Sequence, residues 1–219
     1  MTKPPLRPAL LLLGSGLRDQ RTARGVGLRA LARKLGLAAA DLSAWELGTR
    51  RPPAEAAAYV LGYLQAKPAE YRRLMQLHQQ SDQPGYIEDL GPEAGRLAQL
   101  SEQHAVRVLE WAPHALPDVP PSVPPGCRHV LLVSETARRT AAGLPQAKHV
   151  TVQVVPDGIG TSHAFAIHEF AAGTSTVLLR HEHTRIHLGD PRTVERYRAT
   201  FLRLQRKAAD RARACPVTP

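Results

Sequence analysis

The chain lacks most of the features that would name a chemistry. Its 219 residues include only two cysteines, Cys127 and Cys215, which lie far apart and match no metal or redox spacing. Reduced thiols in a cytosolic protein are the expectation. Long apolar runs are missing as well. The N-terminal stretch "MTKPPLRPALLLLGSG" is unbroken only from Ala9 to Leu13, too short for a signal-peptide core and far too short for a membrane span. A soluble, cytoplasmic chain with no membrane partner is therefore expected. There is no G-x-S-x-G, no Walker A motif and no C-x-x-C, so no catalytic group stands out, and neither an enzyme nor a cofactor is implied. "GVGLRA" (Gly25, Gly27, Ala30) fits a relaxed dinucleotide fingerprint in form. An amphipathic helix precedes it where that motif requires a strand, which removes the nucleotide reading.

Acidic residues are also scarce. Nineteen Asp and Glu face 29 Lys and Arg, a net charge of +10, which favours a polyanionic partner. The charge is unevenly spread. Residues 1–80 carry net +8, residues 81–125 net −5 and residues 126–219 net +7. A basic head followed by an acidic stretch says more than a uniformly basic surface.

What is present divides the chain in three. Residues 9–80 read as five short helices punctuated by Gly25, Gly36 and Gly48 at their ends and by Pro53 and Pro68 at helix starts. Residues 81–126 read as an acidic connector. It holds a helix from near Pro92, a short strand "AVRVLEW", and "PHALPDVPPSVPPG", whose six prolines in fourteen residues allow no regular ladder. Residues 127–210 alternate β-rich runs with turn signals: "RHVLLVSE", "HVTVQVV", "AFAIHEF", "TSTVLLRHE" and "TRIHL". A last helix follows, capped by Asp190–Pro191, with Val194, Tyr197, Phe201 and Leu204 on one stripe. The expected fold is thus a mainly α, five-helix head plus an α+β domain with a small, largely antiparallel sheet and a final helix.

The head contains the spacing of a DNA-reading helix pair. Counting from Leu28, the fifth residue is Ala32, the ninth Gly36, the fifteenth Leu42 and the eighteenth Trp45. Two helices joined by a tight turn need a small residue where they cross and a glycine where φ turns positive. Leu31, Leu42 and Trp45 then fill the wedge between them, and "GTRRPP" follows directly.

On these residues, 9–80 resemble the Xre/lambda-repressor type of helix-turn-helix regulator, most of all in "GLRALARKLGL" and "LSAWELGTRRPP". The remainder resembles the C-terminal domain of a large actinobacterial family of antitoxin-like regulators, through "SDQPGYIEDL", "AVRVLEWAP", "HVTVQVVPDGIG", "AFAIHEF" and "GDPRTVERYRATFLRL". The resemblance implies a transcriptional regulator, often encoded near a small partner protein, with no chemistry assigned to the C-terminal domain. Such proteins usually continue from "EWAP" into a longer helical stretch; here the proline run stands instead, so that domain reads as shortened.

The resemblance also sets out the reading face, which is poor in this chain. Such helices usually begin with Ser, Thr, Gln or Arg, whereas here Ala38 stands at the cap and Ala39, Ala40 and Asp41 follow. Alanine can touch a thymine methyl, Asp41 can accept from cytosine N4, Ser43 can hydrogen-bond and Ala44 cannot. Grip is expected from Arg29 in the first turn of the first helix, and from Arg50 and Arg51 after the second. Arg18, Arg21 and Arg24 read equally well as added positive potential or as a solvated basic face.

Seven of the ten histidines fall between His129 and His187. On a strand His181 and His183 share one side, with Glu182 opposite and His187 on the next run. That is enough to raise a metal site between residues 163 and 187, but without a linear zinc signature a surface or partner-facing role is preferred. The expected partners are double-stranded DNA and a small protein. For the final helix, packing on the sheet is preferred to a homodimer contact. A protein-interaction module that keeps the helical fold without sequence-specific DNA binding is the alternative.

Overall fold

The computed structural model describes residues 6–89, 95–116, 126–145, 147–171, 173–181 and 184–214. It divides into two compact units, one from Arg7 to Tyr86 and one from Ile87 onward that also takes Leu6.

The first unit follows the punctuation of its sequence. Its helices are α1 (Pro8–Ala23), α2 (Leu28–Leu35), α3 (Ala39–Glu46), α4 (Ala54–Tyr63) and α5 (Pro68–Gln80). Pro8 and Pro68 stand in the first turns of α1 and α5, where a missing N–H is no loss. Leu10, Leu13 and Leu17 line one side of α1 and are buried with Leu31, Leu42, Leu61, Leu64 and Leu74. Gly14 allows α1 to lie directly on α3. A Cβ there would come within 2.4 Å of the Trp45 carbonyl oxygen.

The second unit differs from expectation. Among the described residues its sheet has seven strands: β1 (Gly85–Asp89), β2 (Ala105–Ala112), β3 (Arg128–Ser134), β4 (Val150–Val155), β5 (Phe165–Phe170), β6 (Ser175–Arg180) and β7 (Thr184–Leu188). Their order is β1-β7-β6-β5-β2-β3-β4. The β2–β3 and β3–β4 pairs are parallel, while β2–β5, β5–β6 and β6–β7 are antiparallel. The expectation of a small, largely antiparallel sheet is therefore corrected to a large mixed one, and the described chain holds eight helices in all.

The reason is β2. "AVRVLEWA" is an interior strand between β5 and β3, and Leu109, Trp111 and Ala112 are almost fully buried. Parallel strands cannot be joined by a hairpin and need a crossover of about a dozen residues or more. The proline-rich stretch supplies that length between β2 and β3, though residues 117–125 of it lie outside the described chain, as does the expected helix start at Pro92. Between β3 and β4 the crossover runs through α7 (Glu135–Thr140), a helix whose N-cap Ser134 accepts from the Ala137 N–H at 2.9 Å.

Helices cover both faces. The last helix, α8 (Pro191–Ala214), lays Val194, Phe201, Leu204 and Ala208 on Leu109, Trp111, Leu132, Phe165, Ile167 and Val177. Its first turn is capped by Asp190, which accepts from the Thr193 N–H at 2.8 Å and the Thr193 hydroxyl at 2.9 Å. On the opposite face lie α6 (Arg96–His104), with Ala98 against Val108, Ala166 and Leu178, and α7, with Ala137 against Leu131 and Val133. Cys127 is buried, and its burial pushes the thiol up, so it acts as a packed side chain rather than a nucleophile. Cys215 lies outside the described residues.

Candidate nucleic-acid interface

The α2–α3 pair is set by a few residues. Ala32 and Leu31 are buried, Gly36 turns the chain at φ +66°, and Leu42 and Trp45 are buried on the facing helix. Gly48 at φ +65° ends the pair, its N–H donating to the Trp45 carbonyl at 3.0 Å. Ala38 precedes α3 and makes no side-chain cap. An alanine where a capping hydroxyl would serve costs about 0.5–2 kcal/mol, so packing must hold this helix start.

The other end of α3 is fixed by a buried ion pair. Glu46, at the end of α3, is 4 % exposed. Arg21 of α1 reaches it with Nε at 2.6 Å and Nη2 at 2.7 Å, and gives Nη1 to the Val26 carbonyl at 2.9 Å. The hydrogen bond to Glu46 raises the Arg21 pKa above its ordinary value, with the carboxylate charge adding to it against the effect of burial. Arg18 lies 3.7 Å from the same carboxylate, and Arg24 donates to the Gln65 side chain and carbonyl at 3.1 and 2.9 Å. Arg21 is therefore a brace of the fold, while Arg18 and Arg24 stand at its exposed margin.

The eight residues singled out from the sequence fall into three groups. Ala39, Ala40 and Asp41 form the first turn of α3, with Ala40 exposed; Ser43 and Ala44 are half-buried on the next turn. The Ala44 carbonyl accepts from the Thr49 and Arg50 N–H groups at 3.0 and 3.2 Å, tying the following turn to the helix. Arg50 pairs with Asp41 on the surface, which neutralises the one acidic group on this face.

Arg51 turns away from the helix pair. Its Nη1 donates to Asp82 at 2.8 Å and its Nη2 to the His78 carbonyl at 3.2 Å, so it ties the chain after α3 to the end of α5. Of the three arginines expected to grip phosphate, Arg29 alone is exposed without an ion pair among the described residues. Two cations with no counterpart in the sequence expectation join it on α2: Arg33, one turn further along, and Lys34, both exposed. Their i, i+4 spacing puts Arg29 and Arg33 on one stripe of the helix.

Three histidines of the second unit are not the surface groups expected, whereas His163 and His181 are exposed. His129, His168 and His187 are buried on the sheet face beneath α6 and α7. His129 meets the buried Glu110 at 2.9 Å, and Arg180 pairs with the same carboxylate. His187 meets Glu88 at 3.2 Å, and Glu88 also accepts from the Leu97 N–H at 3.2 Å. Burial pushes Glu110 up, but the bond from His129 and the Arg180 charge outweigh it and hold the carboxyl below its usual range. His168 has no hydrogen-bond partner at either ring nitrogen, and burial with the nearby Arg180 charge lowers its pKa to about 3. The rings of exposed His163 and His181 lie 6.1 Å apart and tilted by 55°, whereas Glu182 and His183 lie outside the described residues. Among the described residues no three His, Cys, Asp or Glu groups gather as a metal site would need. Nor, among them, is any helix long and apolar enough to cross a membrane.

Against this geometry the comparison with known families is partial. Residues 141–216 match the family model described as a domain of unknown function, DUF5753. The match takes in β4 to β7 and α8, leaving β1 to β3 and the helical unit outside it. No curated protein matches the chain, and no solved structure matches it.

Proposed function

We propose that the chain is a DNA-binding transcriptional regulator of the Xre helix-turn-helix kind. Here α2 and α3 meet the duplex, and the DUF5753-containing unit binds a small protein partner, as in antitoxin-like pairs. The observation that carries this reading is the α2–α3 pair itself, with Gly36 at its turn, Leu31, Leu42 and Trp45 in its wedge, and Arg29, Arg33 and Lys34 exposed on its first helix. Arg29 sits at a helix N-terminus, where a cation is disfavoured by about 0.3–1 kcal/mol and an anion is welcome. A phosphate bound there would relieve that cost.

Base readout is weak on this reading. Ala39, Ala40 and Ala44 offer no hydrogen bond, and Asp41 is occupied by Arg50. Specificity then rests on half-site spacing or DNA shape rather than on many base contacts. The test is genomic footprinting of the native protein. Discrete protected sites support the proposal, while uniform coating or no protection refutes it.

A second reading, a protein-interaction module that keeps the fold without sequence-specific binding, is favoured by one feature. Leu47, which ends α3, is 49 % exposed, on the same helix stripe as the exposed Ala40 two turns earlier. Loss of footprints together with retained binding to a co-encoded small protein would select it.

A further inference from the structure

The eight basic residues of α8 divide cleanly by the face they occupy. Arg198 and Arg211 flank the apolar stripe and are neutralised within the unit, Arg198 by Glu169 and Arg211 by Glu135, the latter at 2.7 Å. Arg192 lies on the exposed side at the cap, where its charge adds to the Thr193 bonds that lower the Asp190 pKa. The other five, Arg196, Arg203, Arg206, Lys207 and Arg213, are all exposed and have no ion pair among the described residues.

The spacing is periodic. Arg196, Arg203 and Lys207 recur at seven and four residues, and Arg206 and Arg213 at seven, so all five lie on the side away from the buried Val194, Phe201, Leu204 and Ala208. At 1.5 Å per residue the stripe from Arg196 to Arg213 is about 25 Å long. Asp210 interrupts it, and Glu195 at its start is already taken by Arg198 at 3.4 Å.

What such a stripe fits follows from what it lacks. A protein-binding face has an apolar or aromatic centre within a polar rim. Here the half-exposed Leu202 is the one large apolar side chain on the face, and Tyr197 is turned in against Phe165 at 5.0 Å. A single-stranded nucleic acid would want aromatic platforms for its bases, and this face has none. A row of unpaired cations without readers or stackers matches a regular line of phosphates. A duplex supplies one about every 1.7 Å along its axis.

We propose that the outward face of α8 is a second contact surface for duplex DNA, holding the phosphate backbone without reading bases. It rests on the DNA-binding reading only for the identity of the polyanion, and it involves a different unit and different residues. It also suits a first surface poor in base contacts, since added backbone grip raises affinity without altering sequence preference.

The test uses the full chain and a random-sequence duplex of about two helical turns or more, with affinity measured by anisotropy across a salt series. Arg196→Gln/Arg203→Gln/Arg206→Gln is expected to flatten the slope of log K against log salt by about 0.9 for each phosphate that is no longer neutralised. The corresponding triple lysine variant, which keeps the charge, is expected to hold the slope. Arg29→Gln/Arg33→Gln in the helical unit is run beside them. A flattened slope with the α8 glutamines supports the second surface even if the helical-unit variant changes nothing, in which case the helix-pair reading alone fails. An unchanged slope with the α8 glutamines overturns it whatever the helical-unit variant does. If the glutamine triple melts early, Lys207→Glu replaces it, with the same two outcomes.

Discussion

Arg21 and Glu46 are joined by two hydrogen bonds of 2.6 and 2.7 Å across α1 and α3, with the carboxylate almost wholly out of water. The pair fixes the helix expected to lie on DNA, although neither residue faces outward. Breaking a buried pair by deleting one partner costs about 3–5 kcal/mol, because the other charge stays buried and alone. Arg21→Ala is thus expected to destabilise the helical unit by roughly that amount, softened by Arg18 at 3.7 Å. Chemical denaturation followed through Trp45, in a Trp111→Phe background, checks it. A loss under about 1 kcal/mol would mean that the pair behaves like a surface bridge.

The arginines near the helix pair should separate by role. Arg29→Gln is expected to weaken duplex binding and leave stability level or slightly raised, since it removes a cation from a helix N-terminus. Arg51→Ala should do the reverse, because its guanidinium is bonded to Asp82 and the His78 carbonyl. Melting curves and a salt series on both variants decide. A flatter salt slope with Arg51→Ala than with Arg29→Gln would contradict these roles.

Asp41 and Arg50 offer a gain rather than a loss. The pair is exposed on both sides, so it contributes about 0–1 kcal/mol to stability. Asp41→Asn removes a negative charge from the face and frees Arg50 for phosphate. Affinity for any duplex should rise several-fold with a steeper salt slope, and adding Arg50→Gln should reverse most of that gain. No change in affinity would place this surface away from DNA.

How much of this could be read from the sequence depended on whether the signal was local. The helix start at Pro68 and the turn at Gly36 follow from backbone constraints of single residues, Pro53 stands one residue before its helix, and Leu31, Leu42 and Trp45 follow from spacing. The sheet was hidden because β2 pairs with β3 and β5, both distant in sequence, and a parallel pair leaves no turn signature. The five strands after Gly126 alternate visibly, and the strand before the prolines reads apart from them. His129, His168 and His187 are polar residues on three strands, which suggests an open face; α6 and α7 cover that face. The inward turn of Arg51 could not be seen either, because Asp82 is 31 residues away. Glu46 did leave a mark: a carboxylate beside Trp45 and four residues after Leu42 lies on the flank of a buried stripe, where charge needs a partner.

His168 gives the second unit an acid sensitivity of its own. The groups acting on it are Arg180, Glu110, His187 and His129, and its pKa of about 3 keeps it neutral in the folded state. An unfolded histidine takes up its proton near pH 6.5. Below that value the unfolded chain therefore binds a proton that the native unit refuses. The contribution is complete above about pH 6.5 and falls by about 1.4 kcal/mol per pH unit until about pH 3. Glu88 and Glu110, both held below the usual carboxylate range, lose their contributions only at lower pH, as the solution falls through their folded values. Burial pushes the Glu102 carboxyl up, which works in the opposite direction near the acid end of this range. It is thus the difference from a His168 variant between pH 6 and 5 that isolates the histidine. Denaturation followed through Trp111 in a Trp45→Phe background should show that slope, and His168→Leu should remove it while leaving the steeper loss below about pH 4. Parallel stability-against-pH lines for the two proteins would show that His168 is protonated in the fold and that its two ring nitrogens have found partners.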